Sequence, residues 1–245
     1  ILARSSNMKF LTKSVIFIML TSLYANSLAQ QQQQSIIREL EVGALFTSGN
    51  TDEQALNFAG EYTILDDRWE YGYTLDALYA ASDDETTGQR LYGVAGASYQ
   101  FSEDSFFLAR AAHEDDRFNG FDSQSDATLS YGRGFFQSRP DVSLRIDTGI
   151  GIRWTRLDNS DFDEPIFRVA GEYEWILSNT ATFSQDLAVE YGEDSSIYRS
   201  DTGITTQINQ NLSLRLSINL KHQTEVPAGR DETDIRTAAT LVVSF

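Results

Sequence analysis

The sequence contains no cysteine among its 245 residues. That absence excludes disulfide scaffolds, thiolate zinc sites and cysteine nucleophiles. Positive charge is also scarce: 19 Lys and Arg stand against 36 Asp and Glu, a formal net charge of -17. Neutralising phosphates needs clustered Lys and Arg, so a nucleic-acid partner is not expected. A membrane helix needs ~20 consecutive apolar residues, and the mean hydropathy of -0.33 argues against a bundle of such helices. It does not argue against a membrane β-barrel, whose strands turn every second residue toward a polar lumen. Proline is rare. Pro140, Pro165 and Pro227 are each expected in connections, where a missing N–H breaks no ladder.

What is present begins with an address. Met8 opens a run with Lys9 and Lys13 as a positive flank, an apolar stretch over 15–24 and a small-residue site at Ser27-Leu28-Ala29. Residues 1–29 are therefore expected to be leader plus signal peptide, cleaved near Ala29, and 30–37 a Gln-rich linker. Residues 38–245 remain as one β-domain. Losing Arg4, Lys9 and Lys13 leaves 16 basic groups against the same 36 acids, so the exported chain is strongly acidic.

From Arg38 onward the apolar residues alternate with a period of two. Leu212, Leu214, Leu216, Ile218 and Leu220 share one face, opposite Ser213, Arg215, Ser217, Asn219 and Lys221. Charges on the second face fit poorly in a soluble sandwich core. They suit a wall with lipid outside and water inside. The expected fold is an all-β antiparallel transmembrane barrel of the outer-membrane type, with about twelve strands. The strands are expected at 38–47, 55–65, 69–81, 90–101, 105–112, 126–136, 142–154, 166–177, 181–191, 197–208, 212–222 and 233–245. Tight turns alternate with longer connections such as 113–125, 155–165 and 223–232, as between periplasm and exterior. The six longer connections hold 18 of the 36 acids, which predicts an acidic extracellular rim.

Outward aromatic residues should gather at both lipid boundaries. Tyr62, Trp69, Tyr71, Tyr99, Phe101, Phe135, Trp175, Phe183 and Phe245 fall near the short turns; Phe46, Tyr79, Trp154, Tyr191 and Tyr198 fall near the long loops. Arg133 breaks the rule by falling outward, Val242 by falling inward, and Phe106-Phe107-Leu108 leaves the parity of strand five open. A closing strand that ends at Phe245 predicts recognition by the barrel assembly machinery. The other expected partners are outer-membrane lipid and lipopolysaccharide.

Two stretches carry a family resemblance. EVGALFTSGNTDEQALNFAGEY (41–62) and DETDIRTAATLVVSF (231–245) resemble the opening hairpin and final strand of the YdiY-like salt-induced outer membrane proteins, domain of unknown function 481. The resemblance implies an exported outer-membrane barrel. It brings no established activity and no catalytic motif.

The chemistry-bearing residues are few. His113 and His222 sit where strands meet long loops, without a patterned serine or carboxylate nearby, and no enzyme is expected. A hydrolase would need one of them to meet a serine and an acid. Gly149-Ile150-Gly151 and Gly132-Arg133-Gly134 lie inside strands, so they make room rather than cradle phosphate. The acidic loop over 158–164 offers oxygen ligands but lacks the glycine turn and final glutamate of an EF-hand, so no metal or other cofactor is expected. Surface cation binding or adhesion is a third reading of those acids.

The inward charges carry the functional reading. By parity the lumen holds Arg110, Arg145, Arg153, Arg168, Arg199, Arg215, Lys221 and Arg236, with Glu61, Glu70, Asp76, Asp147, Glu172, Glu174, Asp186, Glu190, Asp201 and Asp234. They describe either an ion-pair network that fills a narrow barrel or charge rings in a small-solute pore. Twelve strands lie between packed eight-stranded barrels and open porins, so size leaves both open.

Overall fold

In lipid, an unpaired backbone N–H or C=O costs several kcal/mol, so a sheet that enters a membrane must close on itself. The computed structural model does close. It describes residues 35–47, 53–82, 85–116, 121–157 and 160–245. The expected leader, signal peptide and residues 30–34 of the linker lie outside these. Twelve strands form one barrel, in which each pairs antiparallel with its neighbours in sequence and β1 meets β12. They are β1 (Ser35–Thr47), β2 (Glu53–Asp66), β3 (Trp69–Ser82), β4 (Glu85–Gln100), β5 (Ser105–Asp116) and β6 (Ser123–Phe135). The second half comprises β7 (Val142–Leu157), β8 (Ser160–Ser178), β9 (Ala181–Gly192), β10 (Ile197–Gln207), β11 (Leu212–Gln223) and β12 (Thr233–Ser244).

Both chain ends of the barrel and the tight turns share one end, here the turn end; the opposite end is the loop end. The expected contrast in connection length is weaker than the sequence suggested. β3 pairs with β4 up to Ser82–Glu85, and β7 with β8 up to Leu157–Ser160. Polar residues at these tips continue the ladder beyond the apolar band, where every added residue still gains a backbone partner. The described residues of 82–89, 113–125 and 155–165 are therefore largely strand. Pro165 lies within β8, not in a connection. The ladder from β8 to β9 starts at Ile166–Gly192, one residue later, so on that side its missing N–H breaks nothing.

The molecule is inside out. Leu129 and Ile150 are 69% and 70% exposed, while buried positions include Glu114, Asp126, Asp147, Arg153, Glu164, Arg168 and Glu190. Aromatic contacts run around the turn end: Trp69–Tyr99 at 5.0 Å, Phe101–Phe107 at 4.8 Å, Phe107–Tyr131 at 6.1 Å and Tyr173–Phe183 at 6.2 Å between centroids. Exposed Tyr79, Trp154, Tyr191 and Tyr198 mark the loop end. The contact of Phe107 with Phe101 fixes the parity of β5: Phe107 points out, while Phe106 is buried and turned in. Val242 is buried too. Arg133 stays outward and reaches back to Asp104 in the turn, keeping its charge at the boundary. The hydroxyls of Ser102 and Ser105, with Arg133, hold the Asp104 carboxyl below its ordinary range.

Strand glycines serve close approach. A Cβ on Gly151 would land on the Ala127 carbonyl and the Thr128 side chain; one on Gly132 would land on the Phe106 ring. Backbone cannot yield as a side chain does. Gly151→Val is expected to destabilise the barrel by ~1–3 kcal/mol, measured as a lower temperature for losing the compact electrophoretic form. Gly72→Val meets open space and is expected to change that temperature little.

Candidate functional site

Ion pairs joining strands that are not neighbours in the wall must cross the enclosed space, and they define the lumen. Glu114 on β5 is the hub. Its Oε1 accepts from Arg90 Nε at 2.7 Å, and its Oε2 from Arg199 Nη2 at 3.0 Å and Lys221 Nζ at 2.9 Å. Arg90 and Arg236 both donate to Asp76 Oδ1, at 3.0 and 3.3 Å. Arg199 also reaches Glu190 at 3.2 Å, and Glu190 takes Arg153 at 3.1 Å. Arg153 continues to Glu164 at 3.1 Å, while Arg110 joins Asp126 at 2.5 Å and approaches Glu190 at 3.9 Å. Six cations and five carboxylates thus form one connected cluster with a member on every strand from β3 to β12. Arg168–Asp147 at 2.7 Å forms a separate buried pair.

The cluster fills the loop-end half of the lumen. The side chains of Glu114, Glu164 and Glu190 are each 2% exposed and that of Arg153 is 1%. Tyr92 accepts a hydrogen bond from Arg110 at 2.7 Å, and its ring lies 5.1 and 5.4 Å from the guanidiniums of Arg90 and Arg199. The connection after β9 tucks in, with the backbone N–H of Asp194 donating to Glu164 Oε2 at 2.8 Å. Such stacking and bonding are what a buried charge requires.

The turn-end half differs. Arg145 crosses from β7 to Glu70 on β3 at 3.1 Å and lies over the Phe106 ring at 4.5 Å. Arg215 pairs with Asp201 at 2.8 Å and Glu41 at 3.9 Å, and Asn219 also donates to Asp201. Around these two cations stand Glu39, Glu61, Glu172, Glu174 and Asp186. Glu172 faces Arg145 and Asp186 in register, and Glu174 faces Ser143 and Ser184. Glu61, Glu172, Glu174 and Asp186 are exposed although they belong to the inner face. One half is packed and nearly balanced in charge; the other is open and acidic.

The structure therefore brings Arg110, Arg153, Lys221 and Arg236 into the cluster, and Arg168 with Asp147 just below it. It puts Arg145, Glu172, Glu174, Asp186 and Arg215 at the other end. Sequence parity missed Arg90, Glu114, Asp126 and Glu164. Asp126 follows directly from the alternation of β6, and Glu114 is two steps beyond Ala112, where strand five was ended too early. Glu164 is two steps before Ile166, hidden behind Pro165. Glu114 and Glu164 accordingly leave the acidic rim and enter the lumen.

The histidines find hydroxyls. His113 Nδ1 lies 2.8 Å from Ser125 Oγ, and His222 Nδ1 lies 2.8 Å from Thr233 Oγ1. Both are cross-strand pairs on the outer face. Among the described residues each imidazole Nδ1 thus meets a hydroxyl and not a carboxylate, the group that orients the histidine in a hydrolytic triad. Asp158 and Asn159 lie outside the described residues; within the described set no three His, Asp or Glu side chains converge as a metal site.

A closed sheet with an apolar exterior, aromatic bands and a charged lumen is an outer-membrane β-barrel. The NanC porin shares the fold at a TM-score of 0.52 with 10% identity, covering 83% of this chain and 98% of that one. An outer-membrane channel from Pseudomonas putida F1 does so at 0.50 with 11% identity, covering 89% and 100%. At the level of sequence, the model of the family "Protein of unknown function, DUF481" matches residues 40–245, and the chain belongs to that family. The uncharacterized protein YdiY of Escherichia coli K12 is 29% identical over 215 residues, 84% of this chain and 82% of its own.

Removing one partner from a buried ion cluster leaves the others uncompensated. Glu114→Gln takes a charged partner from Arg90, Arg199 and Lys221 at once, although Asp76 and Glu190 still serve the two arginines, and is expected to cost ~3–5 kcal/mol of barrel stability. Asp104→Asn breaks an exposed pair and is expected to cost little. Urea unfolding of the two variants in lipid vesicles measures the contrast.

Proposed function

We propose that the protein is a small-solute channel of the bacterial outer membrane, acting by passive diffusion without a cofactor and closed at its extracellular end in this conformation. Turn end and termini face the periplasm, as in other single-chain barrels. Lipid and lipopolysaccharide surround the apolar face, and the strand ending at Phe245 is the segment offered to the assembly machinery. The observation that carries the reading is the two-part lumen. A purely structural barrel gains nothing from an open, acid-lined vestibule, because unneutralised carboxylates repel one another. A channel gains a region that concentrates cations before a constriction.

The constriction is the cluster around Glu114. Its six cations are long side chains on six separate strands, so the passage widens by rotamer changes, not by breaking the wall. The acid-rich vestibule makes the expected selectivity cationic. The balanced cluster gives no net preference but a high barrier.

Planar bilayers test this. The wild-type protein is expected to open rarely, and to pass potassium several-fold better than chloride when it does. Glu114→Gln is expected to raise the open fraction by roughly tenfold, the scale of ~1.4 kcal/mol off the closed state. Absence of conductance above bare lipid in both proteins, with folding verified, would leave the structural barrel as the better reading.

A further inference from the structure

The outer wall carries a hollow where the apolar face ends at the loop end. His113, Ser125, Trp154 and Asp163 form one cross-strand row through β5, β6, β7 and β8. The outward row one step nearer the loops holds Ser123, Arg156 and Asp161. One step nearer the turns lie Ala111, Ala127, Ile152 and Pro165, the last apolar row on these strands. On β6 the outward residues shrink to Ser123 and Ser125, between longer side chains on β5 and β7. A cavity of about 480 Å³ lies over them, with His113 on one side and Trp154 and Arg156 on the other.

The groups around the hollow are available to a ligand. Trp154 is 44% exposed. His113 Nδ1 is taken by Ser125 Oγ at 2.8 Å, which leaves Nε2. Arg156 faces Asp161 in register, yet among the described residues Arg156, Asp161 and Asp163 enter no ion pair. The other histidine stands in a filled row. On β10 and β11 Tyr198 lies against the His222 ring at 5.8 Å between centroids, and His222 bonds to Thr233.

We propose that this hollow binds the sugar head of an outer-leaflet glycolipid, whose acyl chains lie on the apolar rows below. A phosphate would meet two carboxylates for one guanidinium, so charge favours an uncharged, hydroxyl-rich head. A pyranose ring uses every group present. Its C–H face lies on the indole, and its hydroxyls donate to Asp161 and Asp163 and accept from Arg156. Small-ligand pockets measure ~300–1,000 Å³, and this cavity falls within that range. Depth argues for a lipid-linked sugar over a free one. Interfacial indoles sit at headgroup level, and the row beneath Trp154 is where chains begin. From the channel reading the inference takes only the orientation, with the loop end outside.

The chain has three tryptophans, so Trp69→Phe/Trp175→Phe leaves Trp154 as its one indole. The probe is phosphatidylcholine vesicles carrying diglucosyl diacylglycerol in both leaflets. There the Trp154 fluorescence is expected to shift saturably with glycolipid content and to be shielded several-fold from acrylamide. Phosphatidic acid in the same amount, or maltose in the buffer, is expected to leave it unchanged. In the same background Ser125→Leu fills the hollow and is expected to abolish the response, and Asp163→Asn to weaken it several-fold, with the compact electrophoretic form verified for each. An equal response to phosphatidic acid would make this a phosphate site, and an equal response to maltose a soluble-sugar site; either overturns the proposal. So would no saturable change with the glycolipid, or a change that survives Ser125→Leu. Conductance of the same proteins reads the channel separately, because the hollow lies outside the wall. Its absence beside a glycolipid response removes the channel alone, and its presence without that response removes the glycolipid site alone.

Discussion

A polypeptide in hydrocarbon has only itself to bond with, and that constraint sets everything else here. It forces the sheet to close, closure creates two faces, and the two faces demand a period of two. It also explains the strand tips. Outside the lipid, β3–β4 and β7–β8 keep pairing because an added residue gains a partner. Among the described residues the β1–β12 ladder is the shortest of the twelve, at four residue pairs from Glu39–Ser244 to Val42–Leu241.

The second constraint is electrostatic. A strand that offers one face to lipid puts its polar residues into a narrow space, where charge is costly unless matched. At the loop end the matching is dense: a single carboxylate, Glu114, serves three cations from three other strands. At the turn end Arg145 and Arg215 face many more acids, and solvent does the remaining work, as the exposure of Glu172, Glu174 and Asp186 shows. Buried ion clusters are weak evidence for added stability, since apolar packing does as well. What a cluster offers instead is a filling of long, rotatable side chains across that half of the lumen.

Fold class and parity were legible because both rest on local alternation. Arg215, Lys221 and Arg153 could be placed inward from their strand neighbours alone. Strand ends were less legible. His113 and Pro165 read as breaks, and stopping there hid Glu114, the hub of the cluster, and Glu164, the partner of Arg153. Which inward charges meet across the barrel was not legible at all. Arg199 and Glu114 are 85 residues apart and come together only because closure puts β5 and β10 opposite each other. The pairing of His113 with Ser125 was likewise hidden, since it depends on register and not on spacing.

The short β1–β12 ladder and the ion cluster are related. If the cluster had reached β1 and β2, the hairpin would be fixed from within as well as by its ladders. Arg236 instead bypasses the hairpin to hold Asp76, so the ring of charge closes at β12–β3 and leaves two strands outside it. On the inward face those strands carry Gly43, Ala55, Asn57 and Ala59, while Leu56 and Phe58 turn to the lipid. Small residues pack weakly, uncharged ones bind nothing across the lumen, and a short ladder holds only one end. The hairpin is therefore held to the rest of the wall by its ladders, by the bond from Thr240 to Glu41 and by the approach of Arg215 to Glu41, not by the ring of charge.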